Sequence, residues 1–377
     1  MKNSTPYQTV RVLLGERSYP IYIGKNLLSS LGRFFHRHRL PKTVVIITDR
    51  NVARLYLKTA QRSLVQAGFD VRAIVVPPGE KEKNLRRADA VYSALLRFRI
   101  ERRSTIVALG GGVVGDLAGF IAATYQRGVN FVQVPTTLLA QVDSSVGGKV
   151  GVNHARGKNM VGAFYQPAFV VADVATLRTL PNREIVCGVG EVVKYGIIMN
   201  RKFFSFVDRN LPDILAKEGR VLVILVAGCC RMKALVVSQD EREDNLRAIL
   251  NFGHTVGHAL EHAGSYRSLK HGEAILLGMI AETFVAYRLG MISSKDAARI
   301  ERAILRIPMP RSIGFSFAPS RLIAAMRLDK KVAAGKIRLV LPTSVGKVTL
   351  PIVVDEKIIL ESLVYLRAFL LSKAVQA

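Results

Sequence analysis

Short apolar runs divided by polar and glycine clusters dominate the first half of the chain. Residues 8–23 carry two such runs, TVRVLLG and YPIYIG, split by Glu16-Arg17-Ser18, which predicts a hairpin. Leu27 to Phe35 reads as a short helix. Thr43 to Thr48 is a continuous apolar run ending at Asp49, the pattern of a parallel strand buried on both faces. A helical segment over 51–67 follows, then a strand from Val71 to Val76 that ends in Pro77-Pro78-Gly79-Glu80. Helical periodicity covers 84–99. Thr105 to Leu109 is another buried strand, and a glycine-rich turn opens the next helix. Asn130 to Val134 and Phe169 to Ala172 complete the pattern.

Strands alternating with helices predict an α/β domain with a parallel, doubly wound sheet. Ligands of such sheets bind at the carboxyl ends of the strands. Those ends carry Asp49 to Asn51, Pro77 to Lys83, Gly110 to Asp116 and Pro135 to Thr137. After about Leu180 strand runs vanish and helical patterns take over from 184 to about 330. Pro181 marks the junction, which gives domains of 1–180 and 181–377. A late strand pair, Ile337 to Leu341 and Val348 to Val353, spans the turn PTSVGK, and a closing helix covers 355–375.

Composition changes this picture little. Hydrophobic residues at 49% supply a core for each domain. Cys187, Cys229 and Cys230 form no CxxC and no even framework, which suits buried thiols in a reducing compartment. The N-terminal stretch lacks a signal-peptide core. The longest apolar run, Val221 to Cys230, is about half of what a membrane span needs and reads as a buried helix. The expected location is the cytoplasm, without a membrane partner. The net charge of +27 admits nucleic acid, an anionic surface or an anionic small substrate. The basic residues are spread through the chain and do not interleave with aromatics, so nucleic acid is the disfavoured partner.

Candidate chemistry gathers in a few motifs. ALGGGVVGD (108–116) follows a strand and opens a helix, where bare backbone and free N–H groups suit a pyrophosphate. Thr136 and Thr137 close another strand; they suit a ribose or phosphate, or simply a helix N-cap. SSVGGKVGVN (144–153) and RGKNMVG (156–162) set Lys149 and Lys158 among glycines, the pattern of a loop that wraps an anion. Glu191 and Lys194 fall three apart and share a helix face; by themselves they also fit an exposed ion pair. The charged stretch 240–247 then runs into the histidine segment, with most of its charge expected at the surface.

That segment, Asn251 to Glu273, holds four of the seven histidines. His254, His258 and His262 fall at i, i+4 and i+8 on one helix face, with Asn251 on a neighbouring part of it. Gly264 interrupts the pattern before His271-Gly272-Glu273. The cluster is either a polar stripe or a metal site, and it is not the HExxH of zinc proteases. Spacing alone favours His254 with His258 as ligands.

Taken together the chain resembles the 3-dehydroquinate synthase family. GGGVVGD, VPTTLLAQVDSSVGGKVGVN, GKNMVGAFYQP, GVGEVVKYG, DEREDNLRAILNFGHTVGHALE and HGEA appear in family order over about residues 40 to 350. Departures are small: Cys187-Gly188 replaces an alanine-rich lead-in, and Phe252 fills a slot often held by Trp. Related polyol dehydrogenases share the fold and the glycine-rich turn but not the lysine motifs.

The resemblance implies an α/β N-terminal domain with a parallel NAD-binding sheet and a mostly α-helical C-terminal metal-binding domain. It places a divalent metal, zinc by preference and cobalt as the alternative, on Glu191, His254 and His271, against the spacing argument. His258 then becomes a hydrogen-bonding or proton-handling neighbour. NAD contacts carry over to Asp49, Asn51, Glu80, Lys83, Gly112, Val113, Val114, Gly115, Asp116, Thr136, Thr137, Thr176, Leu177, Arg178 and Thr179, with Lys149 and Lys158 also near the cofactor. Substrate contacts carry over to Arg127, Asp143, Lys149, Lys158, Asn159, Lys194, Lys233, Arg247 and Asn251. A further family lysine is Lys330 or Lys331. The implied reaction converts 3-deoxy-D-arabino-heptulosonate 7-phosphate to 3-dehydroquinate and phosphate in the shikimate pathway. Its steps are transient oxidation, phosphate elimination, reduction and intramolecular aldol closure. Another sugar phosphate cyclase, a metal-dependent polyol dehydrogenase and a basic nucleic-acid-binding protein are the rival readings. A homodimer is the family expectation.

Overall fold

A computed structural model of the chain describes residues 7–265, 268–310, 317–327 and 336–375, with side chains described to residue 370. Lys330 and Lys331 lie outside the described residues. The chain divides into two compact units: Met1–Leu180 with Lys217–Glu241, and Pro181–Ala216 with Arg242–Ala377.

The first unit is built on a seven-stranded sheet. Its strands are β1 (Tyr7–Val12), β2 (Tyr19–Gly24), β3 (Thr43–Asp49), β4 (Asp70–Val76), β5 (Thr105–Gly110), β6 (Asn130–Pro135) and β9 (Phe169–Asp173). Their order is β1-β2-β9-β6-β5-β3-β4, and all are parallel except the β1 edge, which forms the expected hairpin with β2. Side chains alternate across the sheet. Val45 and Ile47 of β3 face Val91 and Leu95 of helix α1 (Leu85–Arg97) and Leu117 and Ile121 of helix α2 (Gly112–Thr124). Val44 and Ile46 face Phe34, Phe35 and Leu64. Both faces are therefore dry, which is why these strands read as unbroken apolar runs. From β3 the chain passes outward to β4 and then returns to the other side of β3 as β5. The order reverses there, and the carboxyl ends of β3 and β5 flank the crevice that such a reversal opens.

The helix expected after β3 runs from Arg50 to Gln66, with a π-turn over Ala53–Leu57. Two sequence expectations for this unit need correction. The lysine motifs of 144–162 are not a wrapping loop. They form an antiparallel hairpin of β7 (Lys149–His154) and β8 (Gly157–Phe164), outside the main sheet. The single boundary at 180 also fails to capture helix α4 (Gly219–Gln239; the preceding α3, Asn182–Met199, belongs to the second unit), which clusters with the first unit. Helix α4 is long and apolar enough to cross a membrane by length and composition, with mean hydropathy 2.1, yet 61% of its most apolar window is buried. Leu13 N–H donates to Ser238 Oγ at its C-terminal end, at 2.9 Å.

The second unit is largely helical. Its relevant helices are α3 (Asn182–Met199), α5 (His254–Ala263), α6 (His271–Arg288) and the closing α7 (Glu356–Val375). The late strands pair as two short ladders, 338–339 with 352–353 and 342–344 with 347–348, so pairing reaches into the predicted turn. Helices α3, α5 and α6 meet at backbone contact. A Cβ on Gly272 would lie 1.8 Å from the Cys187 carbonyl oxygen, and one on Gly190 would lie 2.5 Å from that of Gly272. A Cβ on Gly278 would lie 2.0 Å from the Gly253 carbonyl oxygen. No side chain fits at these crossings.

Gly278→Ala is therefore expected to destabilise the protein by about 1–3 kcal/mol, the usual cost of overpacking. The fall in denaturant midpoint measures it. An unchanged midpoint would mean that α6 can step away from residue 253 freely.

Candidate active site

Three side chains converge in the second unit. Glu191 lies in the middle of α3, His254 starts α5 and His271 starts α6. Glu191 Oε1 is 3.4 Å from His254 Nε2 and 3.4 Å from His271 Nε2, and the three donor atoms lie within 4.8 Å of one another. Donors about 2.0–2.1 Å from a tetrahedral zinc stand about 3.3 Å apart. Both Glu191 oxygens are buried and lack a hydrogen bond of ordinary geometry, although the Lys194 ammonium lies against Oε2. A buried carboxylate in this state wants a cation, and two neutral imidazoles and one carboxylate suit a divalent one. The residues present fit the metal that the sequence pattern implies.

The same geometry sets the protonation of the group. Burial opposes ionisation of Glu191, but the Lys194 charge, then His254 and His271, outweigh it and hold the carboxyl well below its usual range. His254 is pulled down to about 3, by desolvation first and then by the Lys194 charge. His271 also suffers desolvation, but it sits between Glu191 and Glu261, and those carboxylates push it up to about 9. Metal binding takes the place of such protons and releases them.

In the first unit the predicted cofactor residues line the carboxyl edge of the sheet. Gly112 is the first residue of α2, and its N-cap Gly111 makes no side-chain capping bond, so first-turn N–H groups face outward from the end of β5. A Cβ on Gly111 would lie 2.9 Å from Thr137 Cγ2, so the bare backbone after β5 packs against the Thr137 side chain that follows β6. Lys83 is buried between Asp116 Oδ2 at 2.8 Å and Glu80 Oε1 at 3.2 Å. Desolvation works against its charge, and the two carboxylates raise its pKa in spite of that. Asn153 of β7 joins the group, donating to Glu80 Oε1 at 2.8 Å and, through its main-chain N–H, to the Lys83 carbonyl at 2.8 Å.

Residues 73–187 match the family described as 3-dehydroquinate synthase N-terminal, and 188–332 the one described as 3-dehydroquinate synthase C-terminal. The 3-dehydroquinate synthase of Desulforamulus reducens is 49% identical over 340 residues, covering 90% of this chain and 95% of that protein. The chain belongs to the 3-dehydroquinate synthase family. A solved 2-deoxy-scyllo-inosose synthase, complexed with carbaglucose-6-phosphate, NAD+ and Co2+, matches with a TM-score of 0.86 at 27% identity, covering 94% of this chain and 99% of that one. The 2-epi-5-epi-valiolone synthase of Streptomyces hygroscopicus subsp. jinggangensis, solved with NAD+ and Zn2+, matches with a TM-score of 0.84 over 94% of this chain and 98% of that one. At 23% identity that second likeness concerns the fold alone.

The remaining family positions divide by setting. Glu191 and Lys194 are a buried pair, not an exposed one. Arg247 is buried too. Asn251 is not on the histidine helix. It ends a 3₁₀ turn (Leu246–Asn251), and Gly253 at φ 78° breaks the chain before α5. Asn251 donates to Glu243 Oε1 at 3.1 Å. Lys233 reaches Asp143 twice, at Oδ1 (2.9 Å) and at the main-chain oxygen (2.7 Å). Arg127 has φ 65° beside Gln126 at φ 48°, a left-handed pair before Gly128. The Asn159 N–H donates to Asn153 Oδ1 at 2.8 Å. Lys149 opens β7, whereas Lys158 lies near the turn of the hairpin, about 13 Å further along the ladder. Asp49 is an N-cap for Asn51 and Val52 N–H groups, Thr137 accepts from Ala140 N–H, and Thr176 Oγ1 bonds the Asp173 carbonyl. Leu177 is buried, and Arg178 and Thr179 are exposed.

Three buried glutamates escaped the sequence reading. Glu261 of α5 accepts from His271, Glu282 of α6 accepts from the Gly253 N–H at 2.6 Å, and Glu273 pairs with Arg183 of α3 at 2.7 Å. Glu261 carried a signal, since it follows His258 by three on the same helix. Glu282 carried none: its carboxylate acts on the start of another helix.

His271→Ala is expected to lose the bound metal, from about one ion per folded chain towards none. Metal analysis after dialysis, with circular dichroism to confirm folding, measures this. Undiminished metal in a folded variant would remove His271 from the ligands.

Proposed function

We propose that the chain converts 3-deoxy-D-arabino-heptulosonate 7-phosphate to 3-dehydroquinate and phosphate, using NAD and one divalent cation. The observation that carries this is the convergence of Glu191, His254 and His271 at ligand spacing, in a chain that aligns with 3-dehydroquinate synthases over nearly its whole length. When bound, NAD accepts and returns a hydride, and the cation acidifies a substrate hydroxyl.

The protein's residues hold and orient. Glu191 Oε1 and the Nε2 atoms of His254 and His271 grip the cation. Lys194 against Glu191 Oε2 keeps that carboxylate ionised. The substrate's carboxylate and phosphate call for separate cationic groups. Lys149 and Lys158 stand at different ends of their hairpin and answer that need together with Arg127 and Arg247. Asp143, Asn159, Lys233 and Asn251 are assigned to the substrate's polar groups. His258, with its ring 5.4 Å from that of His254 and 5.9 Å from that of His271, is assigned to proton handling. NAD is assigned to the β3/β5 crevice. Its contacts are Asp49, Asn51, Glu80, Lys83, Gly112 to Asp116, Thr136, Thr137 and Thr176 to Thr179. The first-turn N–H groups of α2 would hold the pyrophosphate. The cytoplasm and a homodimeric state complete the proposal.

The test is product formation by purified protein with NAD and zinc or cobalt. Phosphate and dehydroquinate should appear in equal amounts, without accumulated NADH, and a chelator should stop both. Phosphate release from a hexose 6-phosphate instead would favour another sugar phosphate cyclase. NADH accumulation with a polyol would favour a dehydrogenase. Tight, salt-steep duplex binding without turnover would favour a nucleic-acid-binding protein. Lys149→Ala is expected to slow phosphate release by about 10²-fold or more, as for loss of one charge-stabilising group, with NAD affinity retained. A near-normal rate would withdraw the role given to Lys149.

A further inference from the structure

We propose that Glu261 is a positioning residue: it fixes the ring orientation and tautomer of His271, so that Nε2 faces the metal. This rests on the reading of Glu191, His254 and His271 as cation ligands, and extends it to a residue outside that set.

The two histidines solve the same problem in different ways. Each must donate from Nδ1 in order to present the Nε2 lone pair to a metal. His254 has its Nδ1 3.1 Å from the Phe252 carbonyl, a main-chain acceptor two residues away that is fixed by the local turn. His271 Nδ1 instead finds its acceptor ten residues away, on another helix. It opens α6 after Lys270 in extended conformation, and its Nδ1 lies 3.1 Å from Glu261 Oε2. Glu261 is buried, at 5% exposure, and belongs to α5, the helix that begins with His254. One helix therefore supplies a ligand and the group that aims another ligand. With Nδ1–H donated to Glu261, the opposite edge of the ring turns Nε2 to Glu191 Oε1 at 3.4 Å. The carboxylate also makes the imidazole a stronger donor to a cation.

His258, Glu261 and His271 also form a group whose donor atoms lie within 4.8 Å, so Glu261 has a rival role as a ligand to a second ion. Its hydrogen-bond distance to Nδ1, on the ring edge away from Glu191, favours orientation. The two roles give different stoichiometries.

The experiment measures zinc affinity and stoichiometry by competition with a chromophoric chelator, for wild type, Glu261→Ala, Glu261→Gln and His271→Ala. Cobalt-loaded samples give visible spectra. Glu261→Ala should bind zinc about 10–100-fold more weakly, at unchanged stoichiometry and with an altered cobalt spectrum. Glu261→Gln keeps an acceptor oxygen, so it should recover most of the affinity and the wild-type spectrum. Equal affinity in wild type and Glu261→Ala would overturn the proposal. So would Glu261→Gln binding no better than Glu261→Ala, or a second bound ion in wild type that Glu261→Ala loses. Wild-type binding by His271→Ala would instead overturn the ligand reading itself.

Discussion

The structure of the second unit depends on burying the charge of Glu191. A carboxylate taken out of water costs several kcal/mol unless cations meet it. Here the compensation comes from three directions: Lys194 one turn along the same helix, and imidazoles from the starts of two others. The arrangement is specific because each element is short of partners without the rest. Lys194 alone leaves Oε1 facing two rings, and the rings alone leave Oε2 without a cation. A divalent cation among the three donors resolves the electrostatics in one step and leaves the site positive, suited to an anionic substrate.

The surrounding carboxylates extend this logic. Glu282 on α6 holds the first turn of α5, and Glu261 on α5 faces the first residue of α6. Glu273, also on α6, pairs with Arg183 at the start of α3. The three helices are thus cross-braced by buried carboxylates. In the first unit a comparable polar knot ties the loop after β4, the start of α2 and the β7–β8 hairpin around Lys83.

Much of the parallel sheet was legible in the sequence, because strands covered on both faces must be apolar throughout. Val44 to Ile47 shows this, with alternate residues serving opposite cores. The β7–β8 hairpin was not legible. Its strands, KVGVNH and GKNMVGAF, are rich in glycine and polar residues and lie outside the main sheet, so neither an apolar run nor a clean alternation marks them. Helix α4 was visible as a helix, but periodicity does not say which unit it joins. At the site, spacing pointed to His254 with His258. The ligand geometry instead draws Glu191 and His271 from separate helices, a long-range arrangement that local pattern does not encode. The family resemblance supplied it, and the coordinates bring those three donors together.

The glycine crossings at residues 190, 272 and 278 have a consequence for ion selectivity. Backbones already in contact cannot close further, and the buried carboxylate braces resist their spreading. Glu191 Oε1 stands 3.4 Å from each imidazole Nε2 between these closely packed helices. Ions with ligand bonds of about 2.3–2.6 Å, such as calcium, demand wider apertures and all-oxygen shells. A 3.4 Å spacing with two nitrogen donors thus suits an ion with shorter bonds than calcium, and the glycines behind it, which never touch the ion, set how near the helices come.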